Sequence, residues 1–233
     1  MRKIIEQLVK LACLGIVLSF AAATASAQTS GTVTVGGTVA KSASIRWWSF
    51  TALNTESGAN SPNTQNSPLL FTLNVGDVSP ANTNSYAGGK VRVVLRSNAA
   101  YALSAQVTSS SGFGSAGSGD LSLSDVGFGL ANMANSGSLV FGDPATNSVF
   151  AGSFGNDPSA ASKNSDGIPT FATSLNGVAS SATQVLSGPR ISKGGSVSSA
   201  NNGLLVDTIY AIGPQFFTPT TFSATVTYTI TTP

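Results

Sequence analysis

The chain contains no histidine. That excludes Ser-His-Asp and Cys-His nucleophile systems and removes the commonest zinc ligand. Its one cysteine, Cys13, lies in an N-terminal segment that reads as an export signal. Once that segment is cleaved, no thiol, disulfide or iron–sulfur cluster can form. Charge is equally scarce, with 11 Lys and Arg and 9 Asp and Glu in 233 residues. No clustered cations are present to neutralise phosphates, so nucleic acid is not an expected partner. Beyond the N-terminus no apolar run is long enough for a membrane span of ~20 residues.

Small polar residues fill the space instead. Ser (36), Thr (24), Asn (16) and Gly (25) dominate, while 41% of residues are hydrophobic, enough for a core. This balance points to a secreted β protein of one domain, or at most two.

Residues 1–27 carry Arg2, Lys3 and Lys10, an apolar run from Leu11 to Ala23, and the small-x-small site Ala25-Ser26-Ala27. They read as a cleaved signal peptide, with the mature chain starting at Gln28. The expected locations are the periplasm in transit and then the cell surface or the medium. Lys10 precedes Cys13 and the apolar run follows it, the wrong order for a lipid anchor. Residues 28–233 hold 8 cations and 8 anions, and zero net charge favours self-association.

Alternation and turn residues dominate the remainder. Thr32 to Val35 alternates, Gly36-Gly37 interrupts, and Thr38-Val39 resumes. Strands are expected at 43–50, 69–75, 90–96, 101–107, 121–130, 138–141, 171–175, 183–186 and 204–212. The pair 90–96 and 101–107 reads as a hairpin turning at Ser97–Ala100. Lys90, Arg92 and Arg96 share parity, which predicts a solvated face opposite Val91, Val93 and Leu95. The last strand sets Phe222, Ala224, Val226, Tyr228 and Ile230 against Ser223, Thr225, Thr227, Thr229 and Thr231. Long polar loops are expected at 54–68, 108–120 and 142–169. The expected fold is all-β, an antiparallel Ig-like or Greek-key β-sandwich with long Gly/Ser/Asn-rich loops.

Several motifs have ordinary explanations. Gly112, Gly114 and Gly117 have dinucleotide-loop spacing, but lie in a Ser/Gly loop with no helix signal. Asp120 with Asp125, or Asp157 with Asp166, offers paired carboxylates for glycoside hydrolysis. Each lies beside turn-forming residues, so turn chemistry is the expected role and no catalysis is assigned. Asn156, Asp157, Asn164, Ser165 and Asp166 offer oxygens to calcium without matching an EF-hand. No cofactor is expected, with calcium in these loops the alternative. Trp47 and Trp48, adjacent on a strand, are expected on opposite faces. Core packing or edge cover is their expected role, and glycan contact the alternative.

The two ends of the chain also carry a resemblance. QTSGTVTVGGTVAKSASI (residues 28–45) resembles the N-terminal segment of secreted fimbrial subunits, and PTTFSATVTYTITTP (219–233) resembles the last strand of pilin-like and spore-coat-U-like domains. The resemblance implies an incomplete Ig-like sandwich completed by a neighbour's N-terminal strand. Thr32, Val33, Thr34, Val35, Thr38 and Val39 would be the donor positions. Phe222, Ala224, Val226, Tyr228 and Ile230 would form the C-terminal strand. Expected partners are further copies or other surface subunits, with a periplasmic chaperone in transit. The chain departs from many such pilins in having no disulfide after cleavage and in its greater length. The expected function is a non-enzymatic structural or adhesive surface protein. The alternative is a secreted carbohydrate-binding module using Trp47 or Trp48.

Overall fold

The computed structural model describes residues 34–53, 58–59, 75–196 and 201–233. The chain divides at Ala40 into an N-terminal unit and a β unit, Ala40–Pro233. The signal peptide, Thr32, Val33 and residues 69–74 of the strand expected at 69–75 lie outside the described residues.

The β unit is an all-β antiparallel sandwich. One sheet contains β1 (Ala43–Ala52), β2 (Gly58–Ala59), β3 (Ala87–Ser97), β5 (Gly127–Asn135) and β10 (Leu204–Ile212), in the order β2-β1-β3-β10-β5. The other contains β4 (Tyr101–Ser111), β6 (Val149–Phe150), β9 (Thr183–Gly188) and β11 (Ser223–Thr231), in the order β11-β4-β9-β6. A two-residue ribbon pairs β7 (Ser162–Lys163) with β8 (Pro169–Thr170).

The core lies between the sheets. Val93 and Leu95 of β3, Phe128 and Leu130 of β5, and Leu204 and Val206 of β10 meet Leu103 and Ala105 of β4 and Val185 and Leu186 of β9. With no cysteine available to the β unit, this apolar burial must offset the entropy of ordering the chain. Phe128 is the aromatic hub. Its ring centroid lies 5.8 Å from Phe154, 5.6 Å from Tyr210 and 6.4 Å from Tyr228.

The expected hairpin 90–96/101–107 is corrected. Both strands form, but they lie in different sheets: β3 pairs with β1 and β10, β4 with β11 and β9. The connection Asn98–Ala100 is an arch over the end of the sandwich. Period-2 alternation fixes which face of a strand points inward; it does not fix which strand lies beside it. Asn98 anchors the arch to the start of β1. Its Oδ1 accepts from Ser42 N at 2.7 Å and its Nδ2 donates to Ala40 O at 2.9 Å.

The solvated Lys90–Arg92–Arg96 face is also corrected. Val94 shares that face and is fully buried, and Arg96 is only 6% exposed. Arg46 of β1, opposite Val94 in register, is buried too. Burial and the neighbouring Arg46 charge lower the Arg96 pKa to about 10. Arg92 pairs with the buried Asp207 of β10 through two bonds, Nε–Oδ1 at 2.6 Å and Nη2–Oδ2 at 2.9 Å. Asn132 Nδ2 donates to the same carboxylate at 3.0 Å, from a residue held at φ 53° next to a register shift. Lys90 Nζ bonds Asp157 Oδ2 at 3.1 Å. The face is open to water at Lys90 and Arg92 only in part and closed at Val94 and Arg96; parity separates the two faces of a strand but cannot say how far either reaches water.

Smaller departures have local causes. The strand expected at 121–130 is displaced to 127–135, after a 3₁₀ turn at Leu123–Asp125. At 138–141 only an isolated bridge forms, Val140 to Ser192. A 3₁₀ turn occupies Leu175–Val178, and no strand forms at 171–175. β4 extends to Ser111, into the expected loop 108–120. Gly88 takes φ +138°, and a Cβ there would lie 2.0 Å from Tyr210 O of β10.

Candidate functional site: an open flank between the sheets

β1 and β11 close the two sheets on one flank and approach each other there. Among the described residues β11 pairs with β4 alone. β1 pairs with β2 only at Phe50 and Thr51, so Ala43–Ser49 have no partner on that side among the described residues. Both strands therefore present backbone N–H and C=O groups outward.

β11 alternates as the sequence predicts. Its Ser and Thr residues are exposed, while Ala224, Val226, Tyr228 and Ile230 pack inward but remain half-buried. Their register partners on β4 differ sharply: Val107 opposite Val226, Ala105 opposite Tyr228 and Leu103 opposite Ile230 are all buried. The core thus thins towards this flank. Phe222 precedes β11 and packs edge-on against Phe113 at 5.5 Å.

Edges are usually blunted by charge, proline or shortness. β11 has nine residues with no charge and no proline, and one register shift between Thr225 and Val226. At the far side of its sheet, β6 has only two residues. The β5 edge is occupied: Phe128 N donates to Thr173 O, and Leu130 N to Phe154 O. The β11 edge is long and, among the described residues, uncovered.

The N-terminal segment is equally unprotected. Residues 34–42 form no strand, and Val35 and Val39 are 93% and 90% exposed. Ala43 is in register with Ser97, and Thr231 with Ala102, so β1 begins at the arch end of the sandwich, where β11 finishes. Lys41 Nζ donates to the Pro233 carbonyl at the same end.

Tyr210 and Tyr228 link the sheets beneath this flank through a 2.5 Å hydroxyl–hydroxyl bond. Burial raises both pKa values, and the Tyr210 hydroxyl pushes Tyr228 further, well above the ordinary value. The fold therefore favours the protonated phenols. Their contribution is intact below the unfolded tyrosine pKa, about 10, and is lost as pH rises above it. Thermal melts should lose stability as pH climbs above about 10, and Tyr228→Phe should make that loss shallower. An unchanged slope in the variant would contradict the linkage.

The other singled-out residues have different settings. Trp47 stands in register with Val93, and a bulge between Trp47 and Ser49 takes in Trp48, so simple alternation does not govern the pair. Their side chains lie outside the described residues. The aspartates do turn and cap work. Asp120 Oδ2 accepts from Ser118 Oγ, and Asp125 Oδ2 from Ser122 N and Oγ. Asp157 caps Pro158–Ala160 through Ser159 N. Burial raises its pKa, but bonds from Ser159 and Lys90 outweigh that and hold it below the ordinary carboxylate value. Asn164 Oδ1 accepts from Asp166 N and Ile168 N, closing the turn before β8. Asn156 Nδ2 donates to Ser153 O and Thr173 Oγ1. Among the described residues no three His, Cys, Asp or Glu side chains gather to hold a metal. No helix among them is long and apolar enough to cross a membrane.

Comparison with known proteins gives no match to a family model, a curated protein or a solved structure.

Proposed function

We propose that this is an exported, non-enzymatic structural or adhesive protein of the cell surface, which assembles by adding a strand from a neighbouring copy to the β1–β11 flank. The observation that supports this most is the undefended β11 edge, with its half-buried row Val226, Tyr228 and Ile230. An added strand would satisfy the outward backbone groups and cover that apolar surface. The N-terminal segment supplies suitable chemistry: alternating Thr and Val, no charge from Gln28 to Ala40, and two exposed valines among its described residues.

Topology separates the two ways such a strand could arrive. A segment that docks on its own β11 must reach Ala40 at the end where β11 finishes, so it would run parallel to β11. A neighbour's segment can enter in either direction, including the antiparallel pairing that is slightly stronger per residue. That favours exchange between copies.

Val33→Asp with Val35→Asp places two charges where the added strand meets the apolar row. Burying them unpaired is prohibitive. The double variant of residues 28–233 should remain monomeric in light scattering under conditions where the unmodified chain forms multimers. Multimers of undiminished size in the variant would refute assembly through these residues.

A further inference from the structure

A second surface feature lies on segments that form no strand pair with β1 or β11. Segments 139–141 and 191–193 run together: Phe141 N donates to Ile191 O, and Lys193 N to Leu139 O. This pairing brings two cations onto one aromatic ring. The Arg190 guanidinium lies 4.7 Å from the Phe141 centroid and the Lys193 ammonium 5.9 Å from it. Phe141 is 45% exposed, and both cations are exposed.

The guanidinium is held in place before any ligand arrives. Its Nε donates to Ser192 O at 2.8 Å and its Nη2 to Lys193 O at 3.3 Å. Of its five N–H groups, three remain for another acceptor. Neither cation pairs with a carboxylate among the described residues, whereas Lys90 and Arg92 both do. Asp143, the carboxylate nearest to Phe141 in sequence, accepts from Ala145 N. Two like charges share one ring, with no counter-ion among the described residues. Little ordering entropy remains to be lost there when an anion binds.

We propose that Phe141, Arg190 and Lys193 form a binding site for the carboxylate-bearing sugars of an acidic polysaccharide. A uronate ring carries both features the site can use. Its carboxylate meets the guanidinium N–H groups and the ammonium, and its C–H face meets the exposed part of the Phe141 ring. A bare phosphate or an acidic peptide uses the cations but leaves the ring unused. The site is independent of strand addition, since it involves neither β11 nor residues 28–40.

Oligogalacturonate titrated calorimetrically into residues 28–233 tests it. Binding should weaken with added salt, as charge contacts do. The same oligomer with its carboxylates reduced to alcohols should not bind. Arg190→Gln with Lys193→Gln should weaken binding at least 10-fold at an unchanged melting temperature. Lys193→Gln alone, a change at an exposed side chain, should give part of that loss, and Phe141→Ser should weaken the uronate specifically. The proposal is overturned if the unmodified protein does not bind, or if the double variant binds equally well. Equal binding of polyglutamate or polyphosphate would overturn it too, because the ring would then contribute nothing.

Discussion

Phe128→Ala should cost about 3–5 kcal/mol, the usual range for truncating a buried phenylalanine. Phe128 is fully buried and touches Phe154 of the loop, Tyr210 of β10 and Tyr228 of β11. Its ring therefore joins both sheets and a loop at one point. Against a total stability of ~5–15 kcal/mol, the loss is a large fraction. Urea unfolding should show the midpoint falling steeply, with Phe216→Ala, at a residue 91% exposed, shifting it by less than about 0.5 kcal/mol. Comparable losses in the two variants would contradict the position of the core.

Asp207→Ala should be the next most damaging change. Asp207 is 4% exposed and accepts from both Arg92 and Asn132. It is the carboxylate that faces Arg92 on the same side of the sheet as Arg46 and Arg96. Without it, the Arg92 guanidinium loses both of its bonds to a carboxylate. Breaking a buried pair from one side costs ~3–5 kcal/mol. Arg92 keeps about a third of its side chain in water, so the low end, about 3 kcal/mol, applies. For a domain of this size that is a fall of ~6–12 °C in melting temperature. Asp207→Asn keeps acceptor geometry and loses only charge, and should fall between the two. A melting temperature unchanged in Asp207→Ala would show that the Arg92 pair contributes nothing.

These two residues also mark where the sequence was informative and where it was not. The strand carrying Asp207 was legible: Leu204 to Ile212 is apolar on both faces, and β10 is a central strand buried on both sides. β11 was legible residue by residue, from Ser223 out to Ile230 in. Asp157, before a proline, was legible as a turn residue, and it caps a short helical turn. The arch at Asn98–Ala100 was not legible, because a short polar connection between alternating strands serves a hairpin or an arch alike. What selects the arch is remote: β1 and β10 take both edges of β3. The buried arginines were hidden for a related reason. Charge on alternate positions ordinarily marks solvent, and only the partner strand shows that Asp207 awaits Arg92. Of the flank, β11 could be inferred from its alternation, but its lack of an outer neighbour is a property of sheet order. Phe141 lies 49 residues before Arg190 and 52 before Lys193, with no periodic signal to connect them.

Strand addition at the β1–β11 flank is tested most directly by removing the strand that would be added. Light scattering after gel filtration would compare residues 28–233 with residues 41–233. The full chain should form multimers that heating dissociates, and the truncated chain should elute as a folded monomer, since the β unit begins at Ala40. Stable monomers from both chains, or multimers from both, would contradict assembly through the N-terminal segment.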